Sequence, residues 1–188
     1  MLFVTAWAAL GAAAEGYDPT RDPIIRLAAV EATARPVMTA ALVTLGVGMV
    51  LYSGALRAGL GGRAWFVALA NGVSTLGVAT LPLGSAYDTA HGIAAGLGYA
   101  TLAAIPVVAA APEDGGGRSG WATASTVTGI VSALCLLASV AGWRDGLLQR
   151  LGLTLAHSWV LASAVSLARS PTGSSTTPPA RGVAGRRR

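Results

Sequence analysis

Apolar residues run along this chain in long blocks rather than in stripes. Five uncharged stretches, residues 36–56, 64–87, 89–112, 119–143 and 151–168, each reach the length of about 18 residues that a helix needs to cross a hydrocarbon core. They are apolar on most faces instead of at a 3.6-residue period, as expected of helices with no aqueous side. The first block, "LFVTAWAALGAAA", is apolar for 13 residues only, roughly 20 Å of helix. It reads either as a short or truncated first span over about residues 2–14, or as a signal-like segment without a basic leader. The pattern therefore predicts an all-α, polytopic membrane protein built as a six-helix transmembrane bundle.

One segment breaks the apolar pattern. In "EGYDPTRDPIIRLAAVEATARP" seven charged residues fall within positions 15–35. Asp18-Pro19 suits the opening of a turn. Asp22-Pro23 reads as an N-cap followed by proline at the first helical position, starting a short helix that runs to about Arg35. Asp22–Arg26 and Glu31–Arg35 would then be i,i+4 ion pairs on its wet face, with Ile24, Leu27, Ala28 and Val30 on the other.

Composition agrees with the bilayer reading: 53% of residues are hydrophobic and 11% charged, against about a quarter in soluble domains. Every basic residue is arginine, a bias pointing to a GC-rich bacterial genome. The net charge of +5 is concentrated in the tail, where five of thirteen arginines occupy residues 169–188. A basic tail beside an apolar span fits membrane topology and anionic head groups better than a folded nucleic-acid-binding face, so no nucleic-acid partner is expected. The tail itself, rich in Ser, Thr, Pro and Arg, is expected to be disordered. With the N-terminus inside, eight arginines lie on the inner side and five on the outer, which favours cytoplasmic termini in an inner membrane. The single cysteine, Cys135, excludes an internal disulfide and reads as a small buried hydrophobe.

Lipid gives helices no hydrophobic reason to associate, so small residues must let backbones approach. Gly46 in the second span and the pair Gly92 and Gly96, in GxxxG spacing, are the candidate packing positions. They suit an intramolecular contact face, with a homodimer seam or a membrane-complex partner as the alternative.

Ionisable groups at membrane depth invite a functional hypothesis. His91 and Asp88 stand at the start of the fourth span and His157 in the last, and in this topology all share the outer side with Asp18 and Asp22. A polar pocket binding a lipid or small ligand would use these five residues. A lipid-directed enzyme would use Asp88, His91 and His157 as acid–base groups, although no nucleophile motif accompanies them. A transporter or accessory subunit is the third class. The spacing matches no metal-binding motif, so neither a metal nor another cofactor is expected. Each of these residues also has a structural reading: Asp88 as an N-cap with His91 in the first turn, and His157 bonded to a Ser or Thr of a neighbouring helix.

The segment "GYDPTRDPIIRLAAVEATARP", with "TLGVATLPL" and "AHGIAAGLGY" further on, resembles the bacterial membrane-protein family designated domain of unknown function 998, over about residues 1–168. The resemblance implies six spans with a polar segment after the first. Asp22, Ile24, Leu27 and His91 match its pattern, whereas Ile25 stands where a serine is usual and the first helix is short, as if its beginning were missing. It implies an architecture and no activity. A fainter similarity runs to DRAM-like membrane proteins, some linked to lipid-anchor remodelling.

Overall fold

A computed structural model describes residues 2–59, 62–110 and 119–169; the tail from residue 170 onward, expected to be disordered, lies outside the described residues. Among the described residues the apolar blocks fold as six helices: α1 (Leu2–Ala13), α2 (Arg35–Gly59), α3 (Ala64–Thr80), α4 (Asp88–Ala110), α5 (Ser119–Val140) and α6 (Asp145–Arg169). A 3-10 turn, Ile24–Ala28, interrupts the α1–α2 connection, and no strand occurs among the described residues. α2, α4, α5 and α6 are long and apolar enough to cross a membrane, while α1 and α3 are shorter apolar helices.

Each helix from α2 to α5 packs against the next, α1 lies on α2 and the 3-10 turn, and α6 returns across α4 and α2 to close the bundle. Polarity is inverted relative to a water-soluble fold. Leu51, Leu134, Leu137 and Val140 face outward, whereas Asn71, Ser125, Ser132, Gln149 and Ser163 are buried. Polar side chains in a bilayer find hydrogen-bond partners only inside the protein, and apolar ones lose nothing by facing lipid. Trp159, which sits within a span rather than at its end, follows this rule: its indole N–H donates to the Ser125 hydroxyl at 2.8 Å. Cys135 is half-buried on α5, less enclosed than expected.

Close helix approach depends on glycines only partly anticipated. A Cβ on Gly46 would stand 2.7 Å from the Leu76 side chain, and one on Gly72 would stand 2.9 Å from the Gly46 carbonyl, so α2 and α3 cross backbone to backbone there. Gly92 and Gly96 behave differently from the expected intramolecular face: both are exposed, and a Cβ at either position would have nothing within 4 Å. The GxxxG spacing places them on the outward side of α4, because the inward side is the one carrying His91, Leu102 and Ile105.

Two helix ends depart from the hydropathy pattern. α3 stops at Thr80, well before the apolar run ends, and residues 81–87 turn the chain past Pro82. α6 starts at Asp145, six residues ahead of its apolar run. The α5–α6 corner explains that early start. Gly142 has φ +85°, its N–H donates to the Ser139 carbonyl, and the Trp143 N–H donates to that of Ala138. These two bonds form a Schellman motif that ends α5 and releases the chain directly into the next helix. α6 therefore gains almost two turns at its N-terminus, and they carry Gln149 and Arg150.

Candidate functional site

Residues 15–34 lie across the end of the bundle where α6 begins, and main-chain groups make the junction. A buried helix start must satisfy its free N–H groups, and the Leu147 N–H donates to the Thr20 carbonyl at 3.1 Å. The Arg150 Nη1 donates to the carbonyls of Pro19 at 2.7 Å, Asp22 at 3.0 Å and Gly146 at 2.8 Å. Its Nη2 donates to the Tyr17 hydroxyl. The guanidinium also lies over the rings of Trp7 and Tyr17, 5.1 and 5.5 Å from their centroids. A buried charge is costly unless paired; this one, only 7% exposed, is held by carbonyl dipoles, a phenol and two aromatic faces rather than by a carboxylate. Glycine at 146 is required because a Cβ would meet the Pro19 carbonyl at 2.5 Å.

Within this roof the chain is organised differently from the expected helix. Only the 3-10 turn Ile24–Ala28 forms, followed by further turns to residue 34. Asp22 does not cap it: the preceding residue of the turn is Pro23 with no side-chain cap, and the Asp22 carboxylate instead accepts from the Asp18 N–H at 2.8 Å and pairs with Arg26. The Glu31–Arg35 pair does not form among the described residues, because residues 31–34 are not helical and the i,i+4 geometry is lost. Asp18 opens a turn as expected, accepting from the Thr20 N–H at 2.9 Å and its hydroxyl at 2.7 Å. Those bonds from Thr20 hold the Asp18 carboxyl below its ordinary pKa. Burial raises the Tyr17 phenol above its ordinary value, with the Arg150 charge opposing. Ile24, Leu27 and Ala28 all turn into the bundle.

Beneath the roof is a cavity of about 90 Å³. Ile24 and Ile25 close its top; Leu42, Asn71, Tyr99 and Leu153 are among its walls, and Phe3 stands at its far side. His91 and His157, from α4 and α6, both line it. Asp18, Asp22 and Asp88 do not. Asp88 faces the turn before it, accepting from the N–H groups of Gly84 at 2.8 Å and Ser85 at 3.0 Å, so it organises that turn instead of capping α4. The roof is tied to the same turn through the Val30 N–H and the Leu83 carbonyl, 3.0 Å apart.

The two histidines are held unlike one another. His91 Nδ1 contacts the Leu81 carbonyl; a carbonyl only accepts, so Nδ1 carries a proton there. His157 packs its ring against Phe3 at 6.0 Å. Its Nδ1 is buried beside its own helix backbone without a well-formed hydrogen bond, and no Ser or Thr bonds it there as expected. Among the described residues no group of three His, Cys, Asp or Glu is placed to hold a metal ion.

Gln149 links roof, wall and cavity. Its Oε1 accepts from the Ile24 N–H at 2.7 Å and its Nε2 donates to the Tyr99 hydroxyl. Gln149, Arg150, Tyr17 and Tyr99 are not among the candidates that the sequence suggests. One signal for Arg150 is present there: Gly146, Arg150, Leu153 and His157 recur at four, three and four residues, the spacing of one helical face.

No curated protein and no solved structure matches this chain. A family model described as a protein of unknown function, DUF998, matches residues 1–166, and the chain belongs to that family.

Proposed function

We propose that this helical membrane protein binds a lipid or small ligand in the cavity beneath residues 15–34. The observation that carries the reading is the cavity itself: side chains from α1, α2, α3, α4 and α6 surround it, and the roof that closes it is anchored by a buried arginine. A largely apolar concavity with a few placed polar groups is the form that small-molecule sites take, and this one is smaller than most of them. Arginine placement and composition support a bacterial inner membrane with both termini cytoplasmic, an orientation in which the cavity would lie in the outer leaflet.

The enzymatic alternative needs an acid–base pair. Asp88 is engaged by the turn N–H groups and is not on the cavity wall, so among the described residues His91 and His157 have no carboxylate beside them there. Binding is the reading we retain. Native mass spectrometry of protein purified gently into nanodiscs tests it. A stoichiometric small molecule retained by the wild type and lost from Ala95→Phe, which adds a ring at a residue of the cavity wall, supports binding; a consistently empty wild type overturns it.

A further inference from the structure

We propose that the occupant of this cavity is the uncharged end of a single acyl chain that enters from the surrounding bilayer and leaves its head group outside. This rests on the binding reading above and narrows it to one chemical class.

The first observation is charge. Among the described residues no Asp, Glu, Lys or Arg lines the cavity. The buried cation Arg150 spends its Nη groups on carbonyls and on Tyr17. An ionised phosphate, carboxylate or amine inside would be desolvated without a counter-charge, a cost that a chain end avoids.

The second is that most polar side chains on the wall are already bonded within the protein, His157 Nδ1 being the exception. Asn71 Nδ2 donates to the Gly98 carbonyl at 2.8 Å and to the Thr101 hydroxyl at 3.2 Å. Thr75 donates to the Asn71 carbonyl at 2.9 Å. Gln149 is spent on Ile24 and Tyr99, and His91 Nδ1 on Leu81. What these residues leave facing the cavity is chiefly carbon, beside Leu42, Val78 and Leu102. A polar ligand would find most of these groups already engaged, whereas a hydrocarbon needs none of them.

The third is adjacency. Phe3, Leu45 and His157 line the cavity and also a second depression of about 260 Å³, whose other walls include Met49, Val160 and Leu161. Leu161 is among the outward-facing residues of α6. The apolar surface thus continues from the cavity, past the Phe3–His157 ring contact, toward the lipid-facing side. That is the route a membrane-borne chain would follow, and it requires no passage through water.

The test is photolabelling of the whole protein in phosphatidylcholine nanodiscs, using palmitic acid with a diazirine near its methyl end. Labelled residues are mapped by peptide sequencing. The expected result is label on interior residues such as Leu102 and Val78, in addition to lipid-facing Leu137. In Ala95→Phe the interior label falls by about tenfold or more, the scale of a lost 1.4 kcal/mol of binding, while that at Leu137 stays. Label confined to Leu137 and other lipid-facing positions in the wild type overturns the proposal, and this arm needs no variant. If interior label is absent but native mass spectrometry still finds a retained polar molecule that Ala95→Phe loses, the acyl-chain inference fails and the binding reading stands. If both are negative, both fail.

Discussion

The Arg150 guanidinium sits 5.1 Å from the centre of the Trp7 ring, and that contact joins α1 to α6. The same guanidinium reaches the carbonyls of the intervening segment, so α1, the roof and α6 share one buried cation. Replacing Arg150 by Ala removes these bonds and leaves the carbonyls of Pro19 and Asp22 without it. Hydrogen bonds to a charged group are worth about 1.5–3 kcal/mol each at a buried site, and the expected loss of stability is on the order of 3 kcal/mol. Arg150→Lys recovers only part, since an ammonium cannot reproduce the planar fork. Thermal unfolding in detergent, together with proteolysis of residues 15–34, measures both effects.

Gly146 tests the same junction from the other side. Gly146→Ala places a methyl 2.5 Å from the Pro19 carbonyl and 2.6 Å from that of Asp22, both main-chain atoms. The expected outcome is a lifted roof and a loss of about 1–3 kcal/mol, the usual range for overpacking. Unchanged protease resistance of residues 15–34 would contradict the arrangement.

Glycine substitutions elsewhere separate packed from unpacked positions. Gly72→Val is expected to disrupt the α2–α3 crossing, where its Cβ meets Val50 at 2.8 Å and the Gly46 carbonyl at 2.9 Å. Gly96→Ala meets open space and should leave the fold unchanged, or raise stability by up to about 1 kcal/mol through helix propensity. Comparing the two melting temperatures in one detergent decides the matter.

The pH responses of the roof follow from two groups outside the spans. Asp18 has a folded pKa below its ordinary 3.8, so the turn it makes with Thr20 is fully supported above that value and is lost as pH falls through the lowered folded one. Tyr17 has a folded pKa above its ordinary 10.0, chiefly through burial. Its contribution is complete below pH 10.0 and is lost as pH rises through the raised folded value. Roof proteolysis against pH should therefore show protection between these limits, with the alkaline loss absent in Tyr17→Phe.

The helices are largely legible in the sequence because uncharged apolar runs of membrane length have few other uses. Their ends are less so. The run at residues 64–87 continues past Thr80 without any polar residue strong enough to mark the turn, and Pro82 is the available clue. At α6 the charges of Asp145 and Arg150 read as loop, since hydropathy cannot distinguish an arginine in water from one covered by another segment. His91 and His157 are legible as a pair on one side of the membrane, and they do reach one cavity. The aspartates share only that expected side with them, and their hydrogen bonds to nearby backbone N–H groups take them elsewhere. Tyr99 and Gln149 cannot be found from spacing, because their meeting depends on how α4 and α6 approach across the bundle.

Apart from its contacts with Tyr17 and Trp7, Arg150 is seated on main-chain oxygens, which every residue carries and which do not titrate. Its hold on Pro19 and Asp22 is therefore indifferent to which side chains occupy those two positions, so long as the backbone path is kept. Exposed residues of the segment such as Thr20, Arg21 and Arg26 can be exchanged without unseating it. The surface this protein presents at that end of the bundle is in this sense a replaceable face on a fixed mount, free to diversify in charge and shape while the chamber below keeps its ceiling.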